Sequence, residues 1–74
     1  MSADLVRVAL ARAGRWTRPP AVTVYLQQED GQVDREALDR LLGEMVAEGL
    51  IEARLSPADG MLEYRLPVGE SVVA

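Results

Sequence analysis

The chain has 74 residues, which allow one small domain that buries only roughly 60 % of its unfolded surface. It carries 8 arginines and 12 acidic residues, for a net charge of −4, and contains neither cysteine nor histidine. This composition excludes disulfides and metal sites built on thiolate or imidazole. Because no stretch approaches the ~18 apolar residues of a membrane span and the N-terminus lacks an apolar signal core, we expect a soluble, cytoplasmic protein without membrane contact.

The first predicted element is a helix that begins after Ser2, a suitable N-cap, and stops at Gly14. Asp4 lies near the positive end of its dipole. The expected buried stripe consists of Leu5, Val6, Ala9, Leu10 and Ala13. Trp16 follows the stop, and a lone tryptophan in a small domain is expected to fill the core rather than stack on a ligand.

Residues 17–30 fit two periods. Val22, Val24 and Leu26 alternate with polar residues as in a strand, whereas Val22, Tyr25 and Leu26 also share one helical face. The β-branched run favours a strand, while two prolines at 19 and 20 are tolerated in a first helical turn. The context of the neighbouring elements favours a helix, and the strand remains the alternative.

The strongest pattern predicts a helix at about 34–48. Its apolar side chains recur at the spacing of one helical face: Leu38, Leu41, Leu42, Met45 and Val46. Asp34 is a good N-cap, with Val33 and Leu38 spaced as a hydrophobic staple. Gly49 can close the helix in the left-handed conformation.

Beyond Gly49 the period changes to two, which predicts a β-hairpin with one wet face on each strand. If both apolar sets share a face, Leu55 lies opposite Leu62. The same register pairs Arg54 with Glu63 and Glu52 with Arg65, so both charge pairs are complementary. It leaves residues 57–60 as a four-residue turn, with a proline and a glycine at suitable positions.

The resulting order is helix, possible short strand near Trp16, helix, turn, helix, strand, turn, strand. It resembles the winged-helix family over roughly residues 2–67. The most specific part is Leu38, Leu42 and Met45 followed by Glu-Gly-Leu-Ile at 48–51, which is similar to the passage from recognition helix into wing. The resemblance implies an α+β, mostly helical fold: a three-helix winged helix with a C-terminal two-stranded β-hairpin wing, forming a single domain over 1–67. The tail at 68–74 is expected to be loosely ordered.

In a winged helix, the resemblance implies that the helix at 34–48 enters the major groove of DNA. Electrostatics argues against this role, because residues 29–54 hold eight acids and three arginines, a local charge of −5. Phosphates would repel such a helix. The turn at 29–33 is also longer and more acidic than in compact helix-turn-helix DNA binders. The candidate DNA contacts are arginines that are more commonly ordinary solvated charges: Arg15, Arg18, Arg35, Arg54 and Arg65.

The outward face of the same helix suggests a protein contact instead. Gly43 and Ala47 are small residues one turn apart, and such pairs let another backbone approach closely, although a glycine inside a helix costs about 1 kcal/mol relative to alanine. Arg40 lies four residues from both Glu36 and Glu44 and can pair with either. The candidate protein interface is therefore Glu36, Arg40, Gly43 and Ala47, with an unremarkable exposed glycine as the alternative interpretation.

No nucleophile motif, phosphate-binding glycine loop or metal spacing is present, and we expect no catalytic, cofactor-binding or metal-binding residues. The sequence predicts a small non-enzymatic winged-helix module, an accessory or regulatory protein that docks on a protein partner or forms a homodimer. The alternative function is a transcription regulator that binds double-stranded DNA. No small-molecule substrate is evident.

Overall fold

The computed structural model describes residues 2–67 of the chain, with the backbone alone at positions 29 and 30. In this range the chain forms α1 (Ala3–Ala13), α2 (Pro19–Asp30), α3 (Arg35–Ala47), β1 (Glu52–Leu55) and β2 (Leu62–Arg65). The predicted α+β arrangement of three helices and a hairpin is confirmed. The expected loose tail at 68–74 lies outside the described residues. Among the helices of residues 2–67, none combines the length and apolarity needed to cross a membrane.

The caps of α1 and α3 are those predicted from the sequence. Ser2 Oγ accepts a hydrogen bond from the backbone N–H of Leu5 at 3.3 Å, and Asp34 Oδ1 accepts one from Glu36 at 3.0 Å. Gly14 and Gly49 follow the two helices with φ of 66° and 76°, a backbone region that glycine enters without steric cost. Both helices therefore begin and end through local side-chain and backbone chemistry.

Residues 19–30 form a helix, so the strand alternative for this segment is wrong. Pro19 and Pro20 occupy the first turn of α2, where no backbone N–H is needed for the helical ladder. Thr23 Oγ1 donates a hydrogen bond to the carbonyl of Pro19 at 3.0 Å. Val22 and Leu26, four residues apart, are fully buried, which shows that the helical period decides the burial.

The core lies where the three helices meet the base of the hairpin. Its buried side chains come from each of these elements: Val6, Ala9, Leu10, Val22, Leu26, Leu38, Leu42, Met45, Ile51 and Tyr64. The predicted stripe of α3 is central to this core. On α1, Leu5 is only partly buried against it.

The predicted hairpin register is confirmed: Leu55 lies opposite Leu62, Arg54 opposite Glu63 and Glu52 opposite Arg65. The expected short strand near Trp16 is an antiparallel bridge between Thr17 and Tyr64. Each of these two residues donates its backbone N–H to the other's carbonyl, both at 2.8 Å. Residues around Thr17 thus extend the sheet on the side of β2 away from β1.

The bridge overturns the prediction that Trp16 fills the core. Side chains alternate along an extended segment, and Thr17 takes the inward position at 4 % exposure. Trp16 is therefore turned to the opposite face of the sheet, where it is half-buried outside the core cluster.

The hairpin departs from the prediction of one wet face on each strand, because neither face is uniformly exposed. Two faces are distinguished by side-chain alternation: the charged face carries Glu52, Arg54, Glu63 and Arg65, and the apolar face carries Ala53, Leu55, Leu62 and Tyr64. Glu63 on the charged face is only 9 % exposed, whereas Leu55 and Leu62 on the apolar face are 65 % and 47 % exposed. Trp16 and Arg18 cover the charged face, and the far end of the apolar face is left to solvent.

A matched pair of leucine substitutions tests this burial pattern. We expect Leu42→Ala, at a fully buried position, to lower the free energy of unfolding by about 2–5 kcal/mol. Leu55→Ala, at an exposed position, should change it by no more than about 0.5 kcal/mol. Urea denaturation followed by circular dichroism measures both. Equal losses for the two variants would contradict the exposed position of Leu55.

Candidate functional site

The charged face of the hairpin is an internal ion-pair network. Arg54 Nε donates to Glu63 Oε1 at 3.0 Å, and Arg65 Nε donates to Glu52 Oε1 at 2.9 Å. Arg18 Nε lies 3.7 Å from Glu63 Oε2. The nearly buried Glu63 carboxylate is thus held between two guanidinium groups, the arrangement that a carboxylate with little access to water requires.

Trp16 completes this network with its ring. The guanidinium carbons of Arg54 and Arg65 lie 4.5 and 4.4 Å from the ring centroid, within the range of cation–π attraction. The two arginines therefore have both a carboxylate and an aromatic partner inside the same chain. Their planar groups are stacked and partly desolvated, which reduces their ability to contact a phosphate.

The turn of the hairpin is linked to the start of α2 by Asp59. Arg18 Nη1 lies 2.6 Å from Asp59 Oδ2, and Asp59 Oδ1 accepts a hydrogen bond from the backbone N–H of Met61 at 3.1 Å. The hydrogen bond from Met61 is the largest contribution that lowers the pKa of Asp59 below its ordinary value, and Arg18 lowers this pKa further. Asp59 therefore keeps its charge in moderately acidic solution.

The structure places the five candidate DNA contacts in different surroundings. Arg18, Arg54 and Arg65 belong to the network around the hairpin, and Arg35 pairs with Asp39 at 3.2 Å. Arg15 is exposed beside Trp16. Four of the five arginines are thus engaged by carboxylates of the same chain.

The exposed apolar residues of the hairpin lie on the other side of the sheet. Met61 is 58 % exposed, and it borders the same open space as Leu62. A contiguous group of exposed apolar side chains, unlike a single one, marks a candidate binding surface. The sequence suggested no role for Met61, because a methionine in a turn fits neither a helical nor a strand period.

An open groove of about 730 Å³ borders this surface. Three elements line it: the start of α2, one side of α3 and the end of the hairpin. The lining residues are Arg18, Pro19, Pro20, Arg35, Asp39, Gly43, Gly60, Met61, Leu62 and Tyr64. A Cβ atom added at Gly43 would meet no atom within 4 Å, so the groove is open above this residue. Gly43 is therefore a gap in the surface of α3 rather than a site of close internal packing.

Tyr64 forms part of the groove wall and connects it to the core. Burial raises the pKa of its phenol above the ordinary value, the nearby Asp39 carboxylate adds to the increase in pKa, and the Arg35 guanidinium opposes it. The phenol therefore stays neutral at physiological pH. The two charges that act on it form an ion pair with each other, which leaves this end of the groove with no net charge.

Of the four candidate protein-interface residues, only Gly43 lines the groove. Glu36, Arg40 and Ala47 are exposed on α3 outside its lining. Within residues 2–67, no ion pair joins Arg40 to Glu36 or Glu44, and α3 instead pairs Arg35 with Asp39. The candidate site is thus displaced from the predicted strip towards the hairpin.

Comparison with protein-family models, curated proteins and solved structures finds no match for this chain. The resemblance to winged helices therefore stays a prediction.

The Asp59 link generates a prediction about pH. A carboxyl group whose pKa is lower in the folded state stabilises the fold above its unfolded pKa, and this contribution is lost as the pH falls through the folded pKa. Asp59→Asn should therefore lower stability at pH 7, where the group is charged. The difference between the two proteins should shrink below the ordinary aspartate pKa of 3.8.

Urea denaturation of both proteins at neutral and acidic pH measures this difference. The other carboxyl groups titrate alike in the two proteins and largely cancel in the comparison. A stability difference of the same size in acid would show that the charge of Asp59 contributes nothing to the link.

Proposed function

We propose that this domain is a small non-enzymatic interaction module that docks on a protein partner through the groove beside Gly43. The single observation that carries the proposal is the exposed apolar rim formed by Met61 and Leu62 next to an open groove. Apolar surface of this kind, bordered by polar residues, is typical of sites that bind other proteins. The proposal includes an accessory or regulatory role for this module.

The charges around the groove favour an uncharged, apolar segment of the partner. Arg35 pairs with Asp39 at one end, and Arg18 pairs with Asp59 near the other, so both cations are already neutralised. A polyanion would find no unpaired cation among the residues that line the groove. An apolar side chain would instead displace water from Met61 and Leu62, which stabilises a complex by roughly 25 cal/mol per Å² of apolar surface buried.

Gly43 supports the same type of partner. Glycine inside α3 lowers helix stability by about 1 kcal/mol relative to alanine, and nothing in the described surroundings would collide with an alanine methyl group there. The loss of helix stability is explained if the absence of a side chain at Gly43 lets the backbone of a partner approach α3 closely. A partner helix or strand that carries leucine or methionine fits the groove best.

Duplex DNA is the alternative partner, supported by the order of three helices and a hairpin. The state of the arginines weighs against it. Binding a phosphate with Arg54 or Arg65 would require breaking an ion pair and a contact with Trp16. Binding with Arg18 would uncouple Asp59 from α2. The loss of each internal contact reduces the net free energy of binding that a phosphate contact provides.

A displayed library of random peptides tests the proposal without knowledge of the natural partner. Peptides selected on the immobilised protein should be rich in leucine, methionine and aromatic residues, because such side chains dominate the centres of protein interfaces. Gly43→Leu, which fills the groove, should weaken the binding of a selected peptide at least about tenfold, corresponding to ~1.4 kcal/mol.

Gly43→Ala is the matched control, because it favours the helix but adds only a methyl group. It should retain peptide binding to within about threefold, which is less than ~0.7 kcal/mol. The proposal fails if the selected peptides lack apolar residues. It also fails if they bind Gly43→Leu as well as they bind the original protein, because the contact would then lie elsewhere.

A further inference from the structure

The outer edge of β1 is a second surface with a defined geometry. Tyr64 uses its backbone N–H and carbonyl to pair with Thr17, on the side of β2 away from β1. In an antiparallel ladder the residue opposite a position of this kind turns its own backbone groups outward. Ala53 lies opposite Tyr64, so its N–H and carbonyl point away from β2. The sheet order within residues 2–67 places no strand beyond β1.

This edge contains no proline within β1 and pairs with β2 without a bulge. Prolines and bulges commonly protect sheet edges from pairing. In β1 the charges of Glu52 and Arg54 are compensated by Arg65 and Glu63 on the neighbouring strand. Ala53 is exposed, and Leu55 beside it is 65 % exposed. An added strand would therefore meet a neutral, accessible edge with an apolar side chain.

We propose that β1 pairs antiparallel with β1 of a second copy of this chain, with Ala53 opposite Ala53 of the second copy. A two-fold axis relates the copies, so one patch serves both. The register places Glu52 opposite Arg54 of the second copy and Arg54 opposite its Glu52. The Glu52 and Arg54 side chains each keep 42 % of their surface exposed, so each can add a contact with the neighbouring strand while it keeps its partner on β2.

The charges extend across four strands in this register. Four side chains line up in a row across the strands: Arg65 and Glu52 of one copy, then Arg54 and Glu63 of the second copy. Their charges alternate between positive and negative. The symmetric row alternates in the same way. Sliding the strands until Arg54 faces Arg54 would place like charges side by side, which destabilises a strand pair. The chain is thus complementary to its own edge in one register.

The opposite face of the pair contributes apolar contact. Leu55 would lie opposite Ile51 of the second copy and lose part of its exposure to water. A four-residue strand buries less than the ~1,200–2,000 Å² of stable interfaces, so we expect a weak dimer, with a dissociation constant on the order of tens of micromolar. This pairing does not depend on the groove, because Ala53 and Leu55 do not line it.

Sedimentation of the full chain over about 1 µM to 1 mM, a range that brackets the expected dissociation constant, tests the proposal. The original protein should change from monomer to dimer in this range. Ala53→Pro removes the outward N–H without removing a bond of the β1–β2 ladder, and it should weaken the dimer at least tenfold. Ala53→Val keeps the N–H and should dimerise as the original protein does.

Leu55→Lys provides a second variant at an exposed position, in case the proline disturbs the hairpin. It should also weaken the dimer, because a lysine would lie opposite Ile51 of the second copy. A monomer at all concentrations, or a dimer unaffected by both Ala53→Pro and Leu55→Lys, overturns the proposal. Gly43→Leu, which fills the groove, should dimerise as the original protein does, which separates this edge from the groove beside Gly43.

Discussion

The structure depends on the backbone bridge between Thr17 and Tyr64. Two hydrogen bonds of 2.8 Å attach the segment before α2 to the hairpin, although the two residues lie far apart in the sequence. Side-chain alternation then determines what each neighbour contacts. Thr17 points inward, while Trp16 and Arg18 are carried onto the charged face of the sheet. Without this bridge the arginines of the hairpin would face water.

The consequence is that Glu63 on the charged face of the hairpin is buried, while Leu55 and Leu62 on the apolar face are exposed. A nearly buried Glu63 with two arginine partners is costly to disrupt, because removal of a partner leaves an uncompensated charge. The network therefore favours one register of the hairpin and one position of α2 against it. At the same time, Met61 and Leu62 are left beside an open groove. The proposed binding of a protein partner and the engagement of the arginines thus have one structural cause.

Sequence patterns predicted the parts of the fold that local chemistry determines. The helix periods, their caps and the hairpin register follow from spacing, glycine stops and paired charges, and all are confirmed. For residues 19–30 the sequence fitted both a helix and a strand, because the two prolines suit a first helical turn and the β-branched run suits a strand. The burial of Val22 and Leu26 distinguishes the helix from the strand. The roles of Trp16 and Met61 depend on a long-range bridge and on a groove shared by three elements. Neither leaves a periodic signal in the sequence. Of the four interface candidates that were chosen by their spacing on α3, only Gly43 lines the groove.

The most direct test of this account asks whether the arginines are available to phosphate. Fluorescence anisotropy with a random-sequence DNA duplex, titrated at low salt and repeated as salt is raised, measures a nonspecific phosphate footprint. The account predicts no binding at micromolar protein even at low salt, because Arg18, Arg35, Arg54 and Arg65 are engaged within the chain. Micromolar binding that weakens steeply with salt would contradict it and would identify the domain as a DNA binder.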